Sequence, residues 1–239
     1  MTAIPLRRPG LAAAIAGSIG LLWIAVAAAQ TPSLGPAPGP DAARGAVIAA
    51  QGLPTGVPAC ALCHAFSGSS DGSGAFPRLA GQSAYYLAKE LDDYANGKRV
   101  NAVMTPIAKG LASKDKAHVV AYYAGVQGAF LPLADVDPAL FKRGEQLAKV
   151  GDAAKGLQSC NNCHGPGGAG ELPAIPYLAG QYAHYLAMQL QMWQRGFRKN
   201  SPDAMADIAK RLDAADIAAV AAYFQQVRQS DLTSAEATK

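Results

Sequence analysis

Cys60-Ala61-Leu62-Cys63-His64 and Cys160-Asn161-Asn162-Cys163-His164 are two occurrences of one five-residue phrase, and together they use every cysteine of the chain. The spacing C-x-x-C-H is the attachment signature of c-type haem. On a helical turn, residues i and i+3 share a face. Both thiols can then reach the vinyl groups of one porphyrin edge, and the following histidine offers its imidazole to the iron. A zinc site built from the four cysteines would leave both histidines without a role and would draw its ligands from distant segments. A redox dithiol explains neither the histidines nor the duplication. The expected cofactors are two covalently bound haem c groups, one on Cys60 and Cys63 and one on Cys160 and Cys163, with His64 and His164 as proximal iron ligands.

Outward from these phrases the chain is an internal repeat. Arg44-Gly45 returns as Arg143-Gly144, each opening an alanine-rich helical stretch. Pro77-Arg-Leu-Ala-Gly-Gln82 returns as Pro176-Tyr-Leu-Ala-Gly-Gln181, and Tyr86-Leu87-Ala88 as Tyr185-Leu186-Ala187. Gly97-Lys-Arg99 matches Gly196-Phe-Arg198, and Tyr122-Tyr123 matches Tyr223-Phe224. The offset stays between 99 and 101, so the halves differ only by short insertions. The domain layout expected is 41–127 and 139–230, joined by a linker at 128–138 and followed by a tail at 231–239.

Within each half the punctuation predicts helices and loops. Ala84, Leu87, Ala88 and Leu91 recur at helical spacing, and Asn96-Gly97 supplies a stop. Ser113-Lys114-Asp115 starts a last helix with Val119, Tyr122 and Tyr123 on its inner face, and residues 213–226 repeat it. No sustained alternation argues for a sheet, so the fold class is all-α. A module of about ninety residues buries only about two-thirds of its unfolded surface, so neither half is expected to fold stably without its haem.

The distal ligands follow from the repeat. A lone methionine is usually core filler, but Met104 and Met205 recur inside matching M-x-x-I-A-K contexts, 40 and 41 residues after their histidines. They are assigned as the sixth ligands of haem 1 and haem 2. Met188 and Met192 have no counterparts in the first half and read as packing residues. His118 and His184 correspond to Ala219 and Tyr85 and read as ordinary helix residues. A Met/His pair leaves the iron no open position, which is electron-transfer chemistry. Arg99 and Arg198 follow a helix-ending glycine, where each is either a haem-propionate partner or a solvated surface residue. Pro77 and Pro176 are placed to offer a carbonyl to the proximal histidine's other nitrogen.

Half of the 239 residues are hydrophobic and 16% are charged, which suits a globular protein. The formal charge of +4 falls to +2 without Arg7 and Arg8, too little to argue for nucleic acid. Residues 1–29 read as a targeting segment: two arginines, an uncharged run from Leu11 to Ala29, and small residues at Ala27-Ala28-Ala29 for cleavage. The alternative is an uncleaved membrane anchor; either way the cysteines lie outside the cytoplasm. Residues 30–40 are a Pro/Gly-rich tether.

The leader, the tandem C-x-x-C-H, the repeated P-x-L-A-G-Q, G-x-R and M-x-x-I-A-K-x-L, and the terminal Tyr-Tyr or Tyr-Phe resemble the di-haem cytochrome c4 family from Asp41 to about Arg228. The resemblance implies two tandem class I cytochrome c domains related by a pseudo-twofold axis, with haem propionates facing across their boundary. It also implies a periplasmic carrier passing electrons from a quinol-oxidising complex to a terminal oxidase or similar acceptor. Competing readings are the cytochrome subunit of a dehydrogenase such as a flavocytochrome, and a di-haem enzyme such as a peroxidase or thiosulfate dehydrogenase. The sequence departs from the pattern at Ala65, where glycine is usual, and in the longer, serine-rich loop Phe66 to Gly74, which bear on the exposed edge of haem 1 and not on its ligation.

Overall fold

The computed structural model describes residues 39–130, 132 and 135–228. The leader, most of the tether and the C-terminal tail read from the sequence lie outside the described residues, and both repeats fall in one compact unit, Pro38–Lys239.

The first repeat runs α1 (Ala42–Gln51), α2 (Ala61–His64), α3 (Ala84–Asn96), α4 (Met104–Gly110) and α5 (Ser113–Gly125). The second runs α6 (Pro138–Lys149), α7 (Asn161–His164), α8 (Ala183–Gln194), α9 (Met205–Arg211) and α10 (Ala214–Gln226). The helix α6 begins at Pro138, the last residue of the segment read as a linker, because Asp137 caps it by accepting from the amides of Ala139 and Leu140. Ser83 accepts from Tyr86 N–H to start α3, and Gly97 ends it in the left-handed conformation. The only strands among the described residues are the short pair β1 (Gly151–Asp152) and β2 (Leu157–Gln158).

In each repeat the first and last helices pack together, α1 on α5 and α6 on α10. Glycine is what lets them close. A Cβ on Gly45 would stand 2.0 Å from the His118 carbonyl oxygen, and one on Gly144 would stand 2.1 Å from that of Ala219. Ile48, Ala49, Val119 and Tyr123 are the buried cluster of the first repeat. The second gathers a larger one around Leu147, Leu157, Ile217, Val220 and Phe224. Tyr122, expected inside, is half-buried; its hydroxyl donates to Phe66 O at 2.6 Å. His118, read as an ordinary helix residue, is instead buried, and its Nδ1 accepts from Asp41 N–H at 2.8 Å, pinning the start of α1.

The longer loop of the first repeat is drawn onto the second. Tyr182 O–H donates to Ser69 O, and Gly74 lies against His184. The linker is packed too: Ser69 O–H donates to Ala129 O at 2.8 Å, and Phe130 lies against Gly180. No helix among the described residues is long and apolar enough to cross a membrane.

Candidate haem sites

Each C-x-x-C-H phrase closes one helical turn. His64 N–H donates to Cys60 O at 3.0 Å, and His164 N–H donates to Cys160 O at 3.0 Å. Residues three apart on such a turn share a face, and the turn delivers the histidine inward, leaving His64 only 8% and His164 only 7% exposed. Burial pushes both imidazoles below the usual histidine range, opposed by the hydrogen bond each makes to a proline carbonyl. A neutral imidazole is what an iron ligand requires.

The P-x-L-A-G-Q segment then builds the wall beside the histidine, with the same bonds in both repeats. His64 Nδ1 lies 3.3 Å from Pro77 O, and His164 Nδ1 lies 2.8 Å from Pro176 O. Leu79 N–H and Leu178 N–H each donate at 2.7 Å, to Gly68 O and Gly168 O respectively. Gly81 N–H donates to Tyr123 O at 3.0 Å and Gly180 N–H to Phe224 O at 2.8 Å, tying the segment to the last helix. With Nδ1 engaged, Nε2 is the nitrogen left for metal.

Met104 and Met205 each open a seven-residue helix, α4 and α9. Asn101 Oδ1 accepts from Met104 N–H at 2.8 Å, and Ser201 Oγ accepts from Met205 N–H at 3.3 Å, so matching local caps place the two methionines. Both short helices pack on the long helix of their own repeat, α4 on α3 and α9 on α8.

The other two readings of the cysteines lack support. Burial raises the Cys60 thiol and pushes that of Cys160 up to about 11. Reactive dithiols have lowered values. Among the described residues no group of three or more His, Cys, Asp and Glu is gathered to hold a metal ion.

Arg99 and Arg198 are not solvated surface residues: each is 3% exposed and sits where the repeats meet. Their backbones form an antiparallel bridge, flanked by Lys199 N–H donating to Lys98 O at 2.7 Å. Arg99 donates to Glu90 at 2.5 Å, to the Tyr185 hydroxyl oxygen at 2.7 Å and to Gln189 Oε1 at 2.5 Å. Arg198 donates to Gln189 at 3.1 Å and to both oxygens of Glu90, at 3.1 and 3.2 Å. Each guanidinium also stacks on an aromatic ring at the same repeat position, Arg99 over Tyr94 at 4.6 Å and Arg198 over Trp193 at 3.8 Å. Sequence reasoning missed Glu90. The available signal was a carboxylate at the helix position where the other repeat has Gln189.

Two buried N–H groups in this cluster, Arg99 Nε and Trp193 Nε1, have no partner in the protein. They suit a group that carries carboxylates, the neutral imidazole and methionine suit its iron, and the two thiols of each phrase suit its vinyl edge. The residues present therefore fit a haem at each site.

A protein-family profile described as cytochrome C oxidase, cbb3-type, subunit III matches residues 152–224. The chain is 38% identical over 169 residues to a cytochrome c4 of Pseudomonas aeruginosa, covering 70% of this chain and 82% of that one. It is also 38% identical over 174 residues to a thiosulfate dehydrogenase electron acceptor of Stutzerimonas stutzeri, covering 72% of this chain and 81% of that one. Among solved structures, reduced recombinant cytochrome c4 from Pseudomonas stutzeri matches at a TM-score of 0.69 and 33% identity, over 79% of this chain and 100% of that chain.

Proposed function

The chain belongs to the cytochrome c4 family, di-haem c-type electron carriers with two covalent haem c groups, and from that premise we propose that it ferries single electrons in the periplasm from a quinol-oxidising complex to a terminal oxidase or similar acceptor. The observation that carries the reading is the duplicated set of a buried, neutral histidine and a capped methionine. Met104 and Met205 are the distal ligands in this reading. Haem iron, when bound, supplies reversible one-electron exchange. The chain's own residues supply the rest. His64 and His164 are kept neutral by burial and oriented by Pro77 and Pro176. Arg99 Nε and Trp193 Nε1 are donors for propionate oxygens at the boundary.

Two measurements test this. Ferric protein should show the weak far-red sulfur-to-iron band, with Met104→Ala and Met205→Ala each removing about half of it. The intact protein should leave carbon monoxide and cyanide unbound, whereas an enzyme site would take either ligand in one repeat. A second reading is favoured by the Stutzerimonas stutzeri relative: a carrier whose donor is a thiosulfate dehydrogenase. Reduction of the purified protein by such an enzyme and thiosulfate, faster than by a quinol-oxidising complex, would select it.

A further inference from the structure

Gln82 and Gln181, the last residues of the two P-x-L-A-G-Q segments, are each 5% exposed. Neither serves its own repeat alone. Gln181 Oε1 accepts from Arg78 N–H at 2.9 Å, and its Nε2 donates to Arg78 O at 2.9 Å. Reciprocally, Gln82 Oε1 accepts from Tyr177 N–H at 3.3 Å and its Nε2 donates to Tyr177 O at 3.4 Å. Each side-chain amide thus pairs with the backbone of the residue just after the histidine-bonding proline of the other repeat.

That address matters because the N–H of Arg78 and the C=O of Pro77 belong to a single peptide group. On one side this amide donates to Gln181 of the second repeat; on the other it accepts from His64 of the first. Hydrogen bonds through a shared amide polarise one another: donation to Gln181 makes the Pro77 carbonyl a stronger acceptor, and a stronger acceptor makes the imidazole a more basic ligand. The Tyr177–Pro176 peptide carries the mirror relay from Gln82 to His164.

We propose that Gln82 and Gln181 are positioning residues that act across the boundary, each tuning the proximal histidine of the opposite repeat. This rests on His64 and His164 being the iron ligands. A more basic imidazole favours ferric iron, so loss of the relay raises the potential of the haem it serves. Gln181 makes the shorter cross-bond, 2.9 Å against 3.3 Å, but it feeds the longer histidine–proline bond, 3.3 Å against 2.8 Å, so the two relays have effects of similar size.

The experiment compares Gln181→Leu and Gln82→Leu in the full-length, haem-loaded protein. A pyridine haemochrome count of two haems per chain in each variant separates failure of this proposal from failure of the haem reading. The potentials are read haem by haem, from proton NMR during a redox titration, with haem-methyl signals assigned to each repeat by contacts to its own histidine. Gln181→Leu is expected to shift the ferrous-to-ferric ratio of the first-repeat haem, at fixed ambient potential, about threefold or more towards ferrous, with little change at the other. Gln82→Leu is expected to shift the second-repeat haem in the same direction, with little change at the first. Exchange of the Arg78 amide proton should accelerate only in Gln181→Leu. If Gln181→Leu fails to accumulate, Gln181→Asn, polar but one methylene too short to span, carries the same expectation. A shift at the mutated residue's own haem, an equal shift at both, or none overturns the proposal. So does the same crossed pattern in Glu90→Gln, which loosens the boundary without touching the relay.

Discussion

The two repeats make the same site with different support. The second has the larger buried cluster and a charged network in which Asp216 holds both Arg143 and Lys155, with Asp152 and Asp213 at its edges. The first has a small cluster and, at the start of α1, a histidine–backbone bond beside the Asp41 cap. At the boundary the imbalance reverses. The helix α3 carries Lys89, Glu90, Asp92 and Asp93, whereas α8 has no acidic or basic residue apart from His184. The lesson is that the two repeats share the bonds around each histidine while core and charge differ: the second keeps the larger core, and the first brings the carboxylate of the ion cluster they share.

The largest expected effect follows from the unequal cores. In protein expressed without haem attachment, amide exchange should leave measurable protection in α6, α8 and α10. Protection in α1, α3 and α5 should be about a hundredfold lower or absent. Equal protection in both repeats would erase the contrast. Next in size is the boundary. Glu90 is buried with both arginines as partners, so Glu90→Ala, which strands two guanidiniums, should cost about 3–5 kcal/mol in denaturant unfolding. Gln189→Ala, at the equivalent helix position, removes neutral acceptors only and should cost about 1–2 kcal/mol. Similar costs would mean that the carboxylate is not the shared anchor.

The charged network of the second repeat gives a smaller effect. Asp216 is buried, but its partners are about a third exposed, so Asp216→Ala should cost about 2 kcal/mol. Asp115→Ala, at the matching position, should stay within about 0.5 kcal/mol. Acid should act on the same network. The hydrogen bond from Arg143 holds the Asp152 carboxyl below the usual range, and that from Lys155 does the same for Asp213. A depressed carboxylate contributes stability above its unfolded value, about 3.9, and loses it as pH falls through the lower folded value. Stability of the second repeat should therefore fall on acidification below about pH 4, and Asp152→Asn with Asp213→Asn should flatten that fall. An unchanged acid limb in the double variant would remove the network from the account.

Much of this was legible in sequence because it is local. C-x-x-C-H is one helical turn, the Gly97 stop is a backbone preference of a single residue, and the Pro77 and Pro176 carbonyls lie one short loop away from their histidines. What escaped was what one repeat does to the other. The repeated Gln82 and Gln181 were visible as a motif, but nothing in the motif says that their partners sit in the opposite repeat. Glu90 looks like a solvated helix residue until Arg198 arrives from more than a hundred positions away. His118 likewise has a role only once Asp41 folds back onto it.

The smallest expected effect concerns Ala65, and it shows how the first repeat accommodates its own departure. Ala65 has φ 56° and ψ 157°, and its counterpart Gly165 has φ 73° and ψ 168°; this region is nearly reserved for glycine. The strained turn is held by hydroxyls. Tyr123 O–H donates to Ala65 O at 3.2 Å and Tyr122 O–H to Phe66 O at 2.6 Å, whereas the second repeat has Phe224, without a hydroxyl, where the first has Tyr123. Ala65→Gly should therefore stabilise the protein by about 1 kcal/mol. The reverse change, Gly165→Ala, should destabilise it by somewhat more, because the added Cβ would stand 3.1 Å from Glu171 Oε1 as well as meeting the strain. Tyr123→Phe should cost about 1 kcal/mol, and less in the Ala65→Gly background, where the turn needs less holding. Strict additivity of the two changes in a double-mutant cycle would show that the tyrosine and the strained alanine are independent, and that the two repeats differ here without compensation.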